Sequence, residues 1–232
     1  MKSRHMALVL VLGLASLCGV QAKEPVSCHP FEQPVSSAQV LNAIGDGQFE
    51  RMVACGLPPN GVVRIDGQAI TPLQFAASLG RPDLIEQVVR AGADPNFGGT
   101  GDVVLPPLEI ALSSRKYDAA RVLVAYHANA GYELPDSRTT ALMAVAFDDS
   151  PEPSTRNIAR YLVQHGAQID AADAKGNTPL HWAARAGNVN YARTLLELRA
   201  DACVVNKQGQ RPAEVVPAQQ PVLRSELADA CR

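Results

Sequence analysis

The sequence predicts an all-α solenoid, in which short antiparallel helix pairs stack along the chain and hairpin loops join each pair to the next. Two observations support this fold class. A helix-start pattern built around one apolar residue recurs at intervals of 35, 34, 38 and 33 residues. After each internal helix start, a second apolar stretch leads into a small-residue loop. Such a period indicates repeats that bury their apolar faces only against neighbouring repeats.

The clearest unit reads Asn177-Thr178-Pro179-Leu180-His181-Trp182-Ala183-Ala184-Arg185-Ala186-Gly187, and Ala200-Asp201 closes it. Thr178 can cap the first helix, and Pro179 fits its first turn because the missing N–H has no helical partner there. Gly187 permits the tight turn to the second helix. This unit resembles an ankyrin repeat, whose pattern is Gly-x-Thr-Pro-Leu-His-x-Ala-Ala-x-x-Gly followed by an apolar helix and Gly-Ala-Asp.

The same helix start recurs along the chain and predicts four internal repeats. The recurring positions are Leu73, Leu108, Leu142, Leu180 and, in a degenerate last copy, Ala213. Because the end repeats of a solenoid have one neighbour each, they need caps. We expect an N-terminal cap over Ser37 to Pro59, with its turn at Gly47, and a C-terminal cap over Arg211 to Arg232. The ankyrin-repeat domain is therefore predicted to span 37–232.

The third repeat carries about five additional residues, Asp148 to Ser154, before a second helix that should start near Arg156. Its two prolines and three acidic residues cannot continue a helix, so the segment predicts an exposed acidic loop. Insertions in repeat arrays often lie on the binding face. A tolerated surface insertion is the alternative.

The N-terminus resembles a secretory signal peptide over 1–22, with basic residues, an apolar run and a small-residue cleavage site at Ala22. A tail over 23–36 would follow. The apolar run is short for a membrane span. Cys18 raises the alternative of a lipoprotein, but Leu17 stands where a small residue is expected. The predicted location is the bacterial periplasm.

Cleavage after Ala22 would leave four cysteines, and an even number in an exported chain predicts disulfides with three possible connectivities. A solenoid brings only near neighbours together, which favours Cys28 with Cys55 and Cys203 with Cys231. Both bonds would lie at the caps.

Composition and motifs argue against several other functions. The cleaved chain would carry 19 basic and 23 acidic residues, a net charge of −4, with no basic block for nucleic acid. The histidines and cysteines lack metal-ligand spacing, and no nucleophile motif occurs, so we predict neither catalytic residues nor cofactors. Gly98-Gly99-Thr100-Gly101 lacks the Lys-Ser/Thr ending of a phosphate loop. The resemblance implies that His181 is structural, bonding loop backbone and the neighbouring threonine.

The resemblance also implies where a partner protein would bind: at hairpin residues before each helix start and at the ends of the first helices. An apolar stripe over Ile70, Leu79, Val103, Leu105 and Phe147 would strengthen such an interface. Trp182 is expected either in the core or partly exposed. The implied contact residues, with the acids of the insertion, are Gln68, Ile70, Ser78, Leu79, Asp102, Val103, Leu105, Ser113, Ser114, Asp136, Ser137, Thr139, Phe147, Asp148, Asp149, Glu152, Lys175, Asn177, Trp182 and Arg185.

An exported ankyrin array implies protein binding without catalysis. Such periplasmic proteins resemble immunity proteins that neutralise toxins, including phospholipases, delivered by type VI secretion. The alternatives are an accessory factor for a periplasmic enzyme such as catalase and, from another class, a hydrolase on a repeat scaffold. The acidic insertion predicts a partner with a basic rim around an apolar mouth, as at a phospholipase entrance.

Overall fold

A computed structural model describes residues 37–46, 48–65, 68–99, 105–148 and 154–232. The predicted signal peptide, the tail and Gly47 lie outside these residues, so the domain boundary at Ser37 stays a prediction. The described part is mostly helical, as the sequence predicts.

The N-terminal cap consists of two helices, α1 (Ser37–Gly45) and α2 (Phe49–Ala54). A short antiparallel hairpin follows, formed by β1 (Val63–Ile65) and β2 (Gln68–Ile70), with Val63 opposite Ile70. The hairpin leads directly into the first internal repeat.

The four internal repeats each pair a first helix with a second helix, which confirms the predicted architecture. In the third repeat the first helix is short and continues as the 3-10 helix Val145–Phe147. The four pairs are α3 (Pro72–Leu79) with α4 (Pro82–Arg90), α5 (Pro107–Ser113) with α6 (Tyr117–Ala125), α7 (Ala141–Ala144) with α8 (Ser154–Gln164), and α9 (Pro179–Ala186) with α10 (Val189–Glu197).

The first helices begin and end at the residues that the repeat pattern provides. The hydroxyl of Thr71 accepts a hydrogen bond from the backbone N–H of Gln74, and the amide oxygen of Gln74 accepts one from the N–H of Thr71. This reciprocal capping satisfies two backbone donors at the start of α3. Gly80 and Gly187 end α3 and α9 at φ angles of 68°, in the left-handed region that glycine adopts without strain.

The core runs continuously through the stack. Helix α3 packs against α5, α5 against α7 and α7 against α9, while the second helices form a parallel row from α2 to α10. The helix-start leucines are buried, and alanines in the first helices allow close approach between rows. The leucines at equivalent positions are Leu73, Leu108, Leu142 and Leu180, none more than 2% exposed.

The C-terminal cap has a shortened first helix, the 3-10 helix Pro212–Val215, followed by α11 (Pro221–Asp229). Pro217 disfavours helical backbone at Val216, which is extended at ψ 132°. The cap still packs its 3-10 helix on α9 and so closes the stack.

A disulfide joins Cys203 in the last loop to Cys231 at the end of the chain, as predicted, with Cα atoms 5.0 Å apart. It fastens the outermost segment of the C-terminal cap to the preceding repeat. Cys55 is disulfide-bonded as well. Its predicted partner, Cys28, lies outside the described residues, so that pairing stays a prediction.

We expect Cys203→Ser and Cys231→Ser each to lower the free energy of unfolding by about 3 kcal/mol, because either change reopens a long loop in the unfolded chain. The double variant should lose no more than either single variant, since both remove the same bond. Thermal unfolding of the three variants, with and without reductant, measures this. A double variant much less stable than both single variants would contradict it.

Candidate protein-binding surface

The surface that the sequence predicts to contact a partner is formed by the first helices and the hairpins between repeats, and we call it the inner surface. Most of the predicted contact residues that the structure describes are at least partly accessible there. Exposed residues are Leu79, Ser113, Ser114, Asp136, Ser137, Phe147, Lys175 and Arg185, and half-buried ones are Ile70, Ser78, Leu105, Thr139 and Trp182.

Part of the predicted contact set lies outside the described residues, namely Asp102, Val103, Asp149 and Glu152, and the side chain of Gln68 is not described either. The apolar stripe is narrower than predicted in the part that the structure describes. Ile70 and Leu105 are half-buried, while Leu79 is 47% and Phe147 56% exposed.

In the first and fourth repeats, the third residue of the first helix bonds the backbone of the following hairpin. In the first repeat, the amide nitrogen of Gln74 donates to the backbone carbonyls of Gly98 and Leu105, at 2.7 Å each. In the fourth repeat, His181 performs the same task by contacting the Gln210 carbonyl through Nε2 at 2.9 Å. Hydrogen bonds therefore fix the hairpins relative to the helices, although the residue types differ.

His181 is structural, as the resemblance implies. The backbone N–H of Thr178 can only donate, so Nδ1 of His181 accepts from it at 3.2 Å, and Nε2 must carry the proton that bonds Gln210. His181 is fully buried, and burial lowers its pKa. The imidazole is therefore neutral, has one defined tautomer, and links the start of α9 to the following hairpin.

The second and third repeats depart from this arrangement. Glu109 occupies the third helical position in α5 and is only 9% exposed. The hydroxyl of Tyr132, in the following hairpin, donates to its carboxylate. Burial raises the pKa of Glu109 to about 7. In the third repeat the position is Met143, which cannot make the strong bond that His181 and Gln74 make. The hydroxyl of Thr140, at the start of the same helix, is buried and has no hydrogen-bond partner among the described residues.

A carboxylate missed by sequence reasoning, Asp173, organises the hairpin before α9. It accepts bonds from the backbone N–H groups of Lys175 and Asn177 at 2.8 Å, and from the Trp182 indole at 3.0 Å. Burial raises the pKa of Asp173, but these hydrogen bonds outweigh that effect and hold the pKa below its usual value. The carboxylate is therefore charged at neutral pH and fixes Trp182.

The prediction that Asn177 contacts a partner is wrong. Asn177 is 1% exposed. Its amide nitrogen donates to Asp173 at 3.0 Å, and its amide oxygen accepts from Arg185 at 3.2 Å and from Asn206 at 3.0 Å. The asparagine amide both donates and accepts hydrogen bonds, so Asn177 can link its own hairpin to the next one through Asn206.

Phe147 and Trp182 form an aromatic pair across the third and fourth repeats. Their ring centroids are 5.4 Å apart and the rings are nearly perpendicular, at 87°. This edge-to-face geometry is favourable for aromatic rings. Phe147 also borders a groove lined by Gly187 and Asn188. The pair therefore presents fixed apolar area on the inner surface.

The prediction that Asp148 belongs to an exposed acidic loop is also wrong. Its side chain is 2% exposed and lies 3.1 Å from Nε of Arg115. The Tyr117 hydroxyl donates to the same carboxylate, and burial together with this bond raises the pKa of Tyr117. A buried carboxylate needs such partners, and a cation from the preceding repeat supplies one.

Arg115 occupies the turn position at which Gly80 and Gly187 end their helices. Its φ of 58° is in the left-handed region, which a residue with a side chain adopts at a cost. Its guanidinium also donates to the Phe147 carbonyl at 3.3 Å, while Asn188 donates to the Asp148 carbonyl at 2.6 Å. Two neighbouring repeats thus hold the backbone that presents Phe147.

We expect Asp148→Asn to lower the free energy of unfolding by about 1.5–3 kcal/mol, because it weakens charged hydrogen bonds to Arg115 and Tyr117. The exposed Asp136→Asn change should cost less than about 0.5 kcal/mol. Urea unfolding of both variants makes the comparison. Unchanged stability of Asp148→Asn together with lost partner binding would contradict the structural role assigned to Asp148.

Among the described residues, no cluster of three or more His, Cys, Asp or Glu side chains could hold a metal ion. None of the helices in this part of the chain is both long and apolar enough to cross a bilayer.

Comparison with known proteins identifies the repeats. The family described as ankyrin repeats (3 copies) matches residues 108–206. The chain is 32% identical over 143 residues to the Danio rerio protein ZDHHC13, whose name describes a palmitoyltransferase, covering 60% of this chain and 21% of that protein. It is 30% identical over 130 residues to alpha-latrocrustotoxin-Lt1a of Latrodectus tredecimguttatus, covering 56% of this chain and 9% of the toxin.

A third relative is neurogenic locus notch homolog protein 1 of Homo sapiens, 26% identical over 143 residues, with 61% of this chain and 5% of that protein covered. The chain thus spans about a fifth or less of the length of these relatives. Residues 108–206 therefore carry ankyrin repeats. These repeats form a scaffold for binding another protein.

Proposed function

We propose that the protein is exported to the bacterial periplasm and acts there, without catalysis, as an immunity protein that binds and blocks a secreted antibacterial toxin. A phospholipase effector delivered by type VI secretion is the favoured class of toxin. Export is supported by the signal-peptide pattern over 1–22 and by the disulfide between Cys203 and Cys231, because such bonds persist in oxidising compartments.

The observation that carries the binding role is the fixed, exposed aromatic pair. The Phe147 side chain is 56% exposed, and its ring packs edge-to-face against Trp182. Its backbone is fixed by two hydrogen bonds, from Arg115 to the Phe147 carbonyl and from Asn188 to the Asp148 carbonyl. An apolar side chain held in advance of binding loses little conformational entropy on association. Aromatic residues in this state are frequent centres of protein interfaces.

Co-expression tests the immunity role. The candidate toxin is the product of the gene adjacent to the one that encodes this protein. It is directed to the periplasm of a sensitive strain in three arms: alone, with the full-length protein, and with a form of the protein lacking residues 1–22. We expect growth arrest by the toxin alone, rescue by the full-length protein, and no rescue by the truncated form. Equal rescue by both forms would contradict export as a requirement.

The accessory role makes a different prediction in the same system. If the neighbouring product is a periplasmic enzyme such as a catalase, the full-length protein should raise its yield or activity and the cells should grow normally without it. Loss of enzyme activity on co-expression would instead support inhibition.

A further inference from the structure

Three cations converge beside the aromatic pair: Lys175, Arg185 and Lys207, all exposed. The backbone N–H of Lys207 donates to the Lys175 carbonyl at 3.0 Å, and its ammonium lies 2.7 Å from the Ala174 carbonyl. Arg185 bonds Asn177 in the same hairpin at 3.2 Å. The three charges therefore belong to one small area, which we call the cationic edge.

No carboxylate lies within salt-bridge distance of these cations in the part of the chain that the structure describes. Some arginines on the second helices do bond acids of their own or the next repeat, as Arg90 does with Glu86 and Arg193 with Glu226. The carboxylate of Asp173, in the same hairpin as Lys175, is 5% exposed and already accepts bonds from the hairpin and Trp182.

The cationic edge and the aromatic pair form one continuous surface. Asp173 connects them directly, since one of its oxygens bonds the backbone N–H of Lys175 and the other bonds the indole of Trp182. Lys207 keeps unused ammonium donors after its single bond to Ala174. A ligand seated on Trp182 and Phe147 therefore lies within reach of positive charge.

Resting on the proposed role of this surface in binding an exported protein, we propose that it takes a partner segment in which an apolar side chain is flanked by carboxylates. The apolar side chain packs on Phe147 and Trp182, and the carboxylates pair with Lys175, Arg185 and Lys207. Two of the three cations lie on hairpins, so the acidic residues of the segment face the hairpins of the last internal repeat and the C-terminal cap. This complementarity is the reverse of the basic rim that the sequence predicts.

The single tryptophan of the chain makes the test direct. Its indole N–H gives one resonance, from Trp182, in a nitrogen–proton NMR spectrum. The probes are the synthetic peptides Asp-Glu-Gly-Phe-Leu-Gly-Glu-Asp, its serine-centred analogue with Phe-Leu replaced by Ser-Ser, and the charge-reversed Lys-Arg-Gly-Phe-Leu-Gly-Arg-Lys. We expect only the acidic, apolar-centred peptide to shift the resonance saturably at low salt.

Charge reversal gives the second readout. The double variant Lys175→Glu with Lys207→Glu should bind the acidic peptide at least about ten-fold more weakly, and added salt should reduce this difference because it screens exposed charges. The matched control is Arg51→Glu with Arg160→Glu, which changes the net charge equally on the second helices of the N-terminal cap and third repeat. It should retain wild-type affinity.

Equal shifts with the cationic peptide, or no response to any peptide, would overturn this inference. Equal weakening in the two double variants would also overturn it, because only net charge would then matter.

Failure of this inference is distinguishable from failure of the proposed immunity role. If the wild-type protein protects cells but does not bind the acidic peptide, only the docking inference is contradicted. If it binds the peptide but does not protect cells, only the immunity role is contradicted.

Discussion

Replacing Phe147 by aspartate is expected to weaken binding of the exported partner by about 2–4 kcal/mol, or roughly 30- to 1000-fold, because it removes a central aromatic contact. Phe147 supplies the most exposed ring of the aromatic pair and is held by bonds from Arg115 and the contact with Trp182. Titration calorimetry with the partner from the co-expression experiment gives the difference. Trp182→Ala should weaken binding as well, and the two losses should not add, since each ring supports the other.

The matched control is Val222→Asp, which places the same charge on an apolar residue that is 65% exposed on α11 in the C-terminal cap. Its affinity should equal that of the wild type. Both variants should unfold at nearly the wild-type temperature, because neither site is in the core. A Phe147→Asp protein that is folded and binds its partner with unchanged affinity would exclude the aromatic pair from the interface.

Replacing Glu109 by glutamine is expected to stabilise the protein above pH 7 by up to about 3 kcal/mol. The pKa of Glu109 is raised in the folded protein from about 4.5 to about 7 by burial. Between these values the folded state holds a proton that the unfolded state has released, so stability falls as pH rises from about 4.5 to about 7. Glutamine stays neutral and still offers an oxygen to the Tyr132 hydroxyl.

Urea unfolding at pH 4.5 and pH 8 tests this effect. The variant and the wild type should have similar stability at pH 4.5 and should separate as pH rises. Glu214→Gln is the matched control, because Glu214 stands at the same third helical position in the cap but is exposed. At pH 8 its stability should differ from that of the wild type by much less than the stability of Glu109→Gln does. A Glu109→Gln protein that is less stable than the wild type at pH 8 would show that Tyr132 requires a charged acceptor.

Features set by local patterns were predictable from the sequence. Helix starts at Pro72, Pro107 and Pro179 follow from proline in the first helical turn, and the ends at Gly80 and Gly187 follow from left-handed backbone. The role of His181 followed from its place in the repeat pattern. The pairing of Cys203 with Cys231 followed from the locality of contacts in a solenoid.

Features that depend on contacts between repeats were not predictable. Asp148 reads as part of an acidic loop, but its burial depends on Arg115, which lies 33 residues earlier in the sequence and whose backbone occupies a glycine-like turn. Asn177 precedes a helix start and resembles a hairpin contact residue, but it bonds Arg185 and Asn206 instead. Asp173 precedes the stretch Asn177 to Gly187 that carries the repeat pattern, so its bond to Trp182 does not follow from that pattern.

Contacts between repeats also change the charge that is expected of the partner surface. The acidic insertion supplied the sequence argument for a basic rim, and one of its acids is neutralised internally by Arg115. Asp149 and Glu152 lie outside the described residues, and their part in binding stays a prediction. The unpaired charges that the structure describes beside the aromatic pair are positive.

Site-specific photocrosslinking in the periplasm tests the central claim most directly, namely that the inner surface binds an exported protein. A benzophenone amino acid is placed at Phe147 in one form and at Arg160, on the second helix α8, in another. We predict that light joins the Phe147 form to one exported protein, at a yield that falls with Trp182→Ala, and leaves the Arg160 form uncrosslinked. Adducts from the Arg160 form alone, or equal adducts from both, would contradict the account.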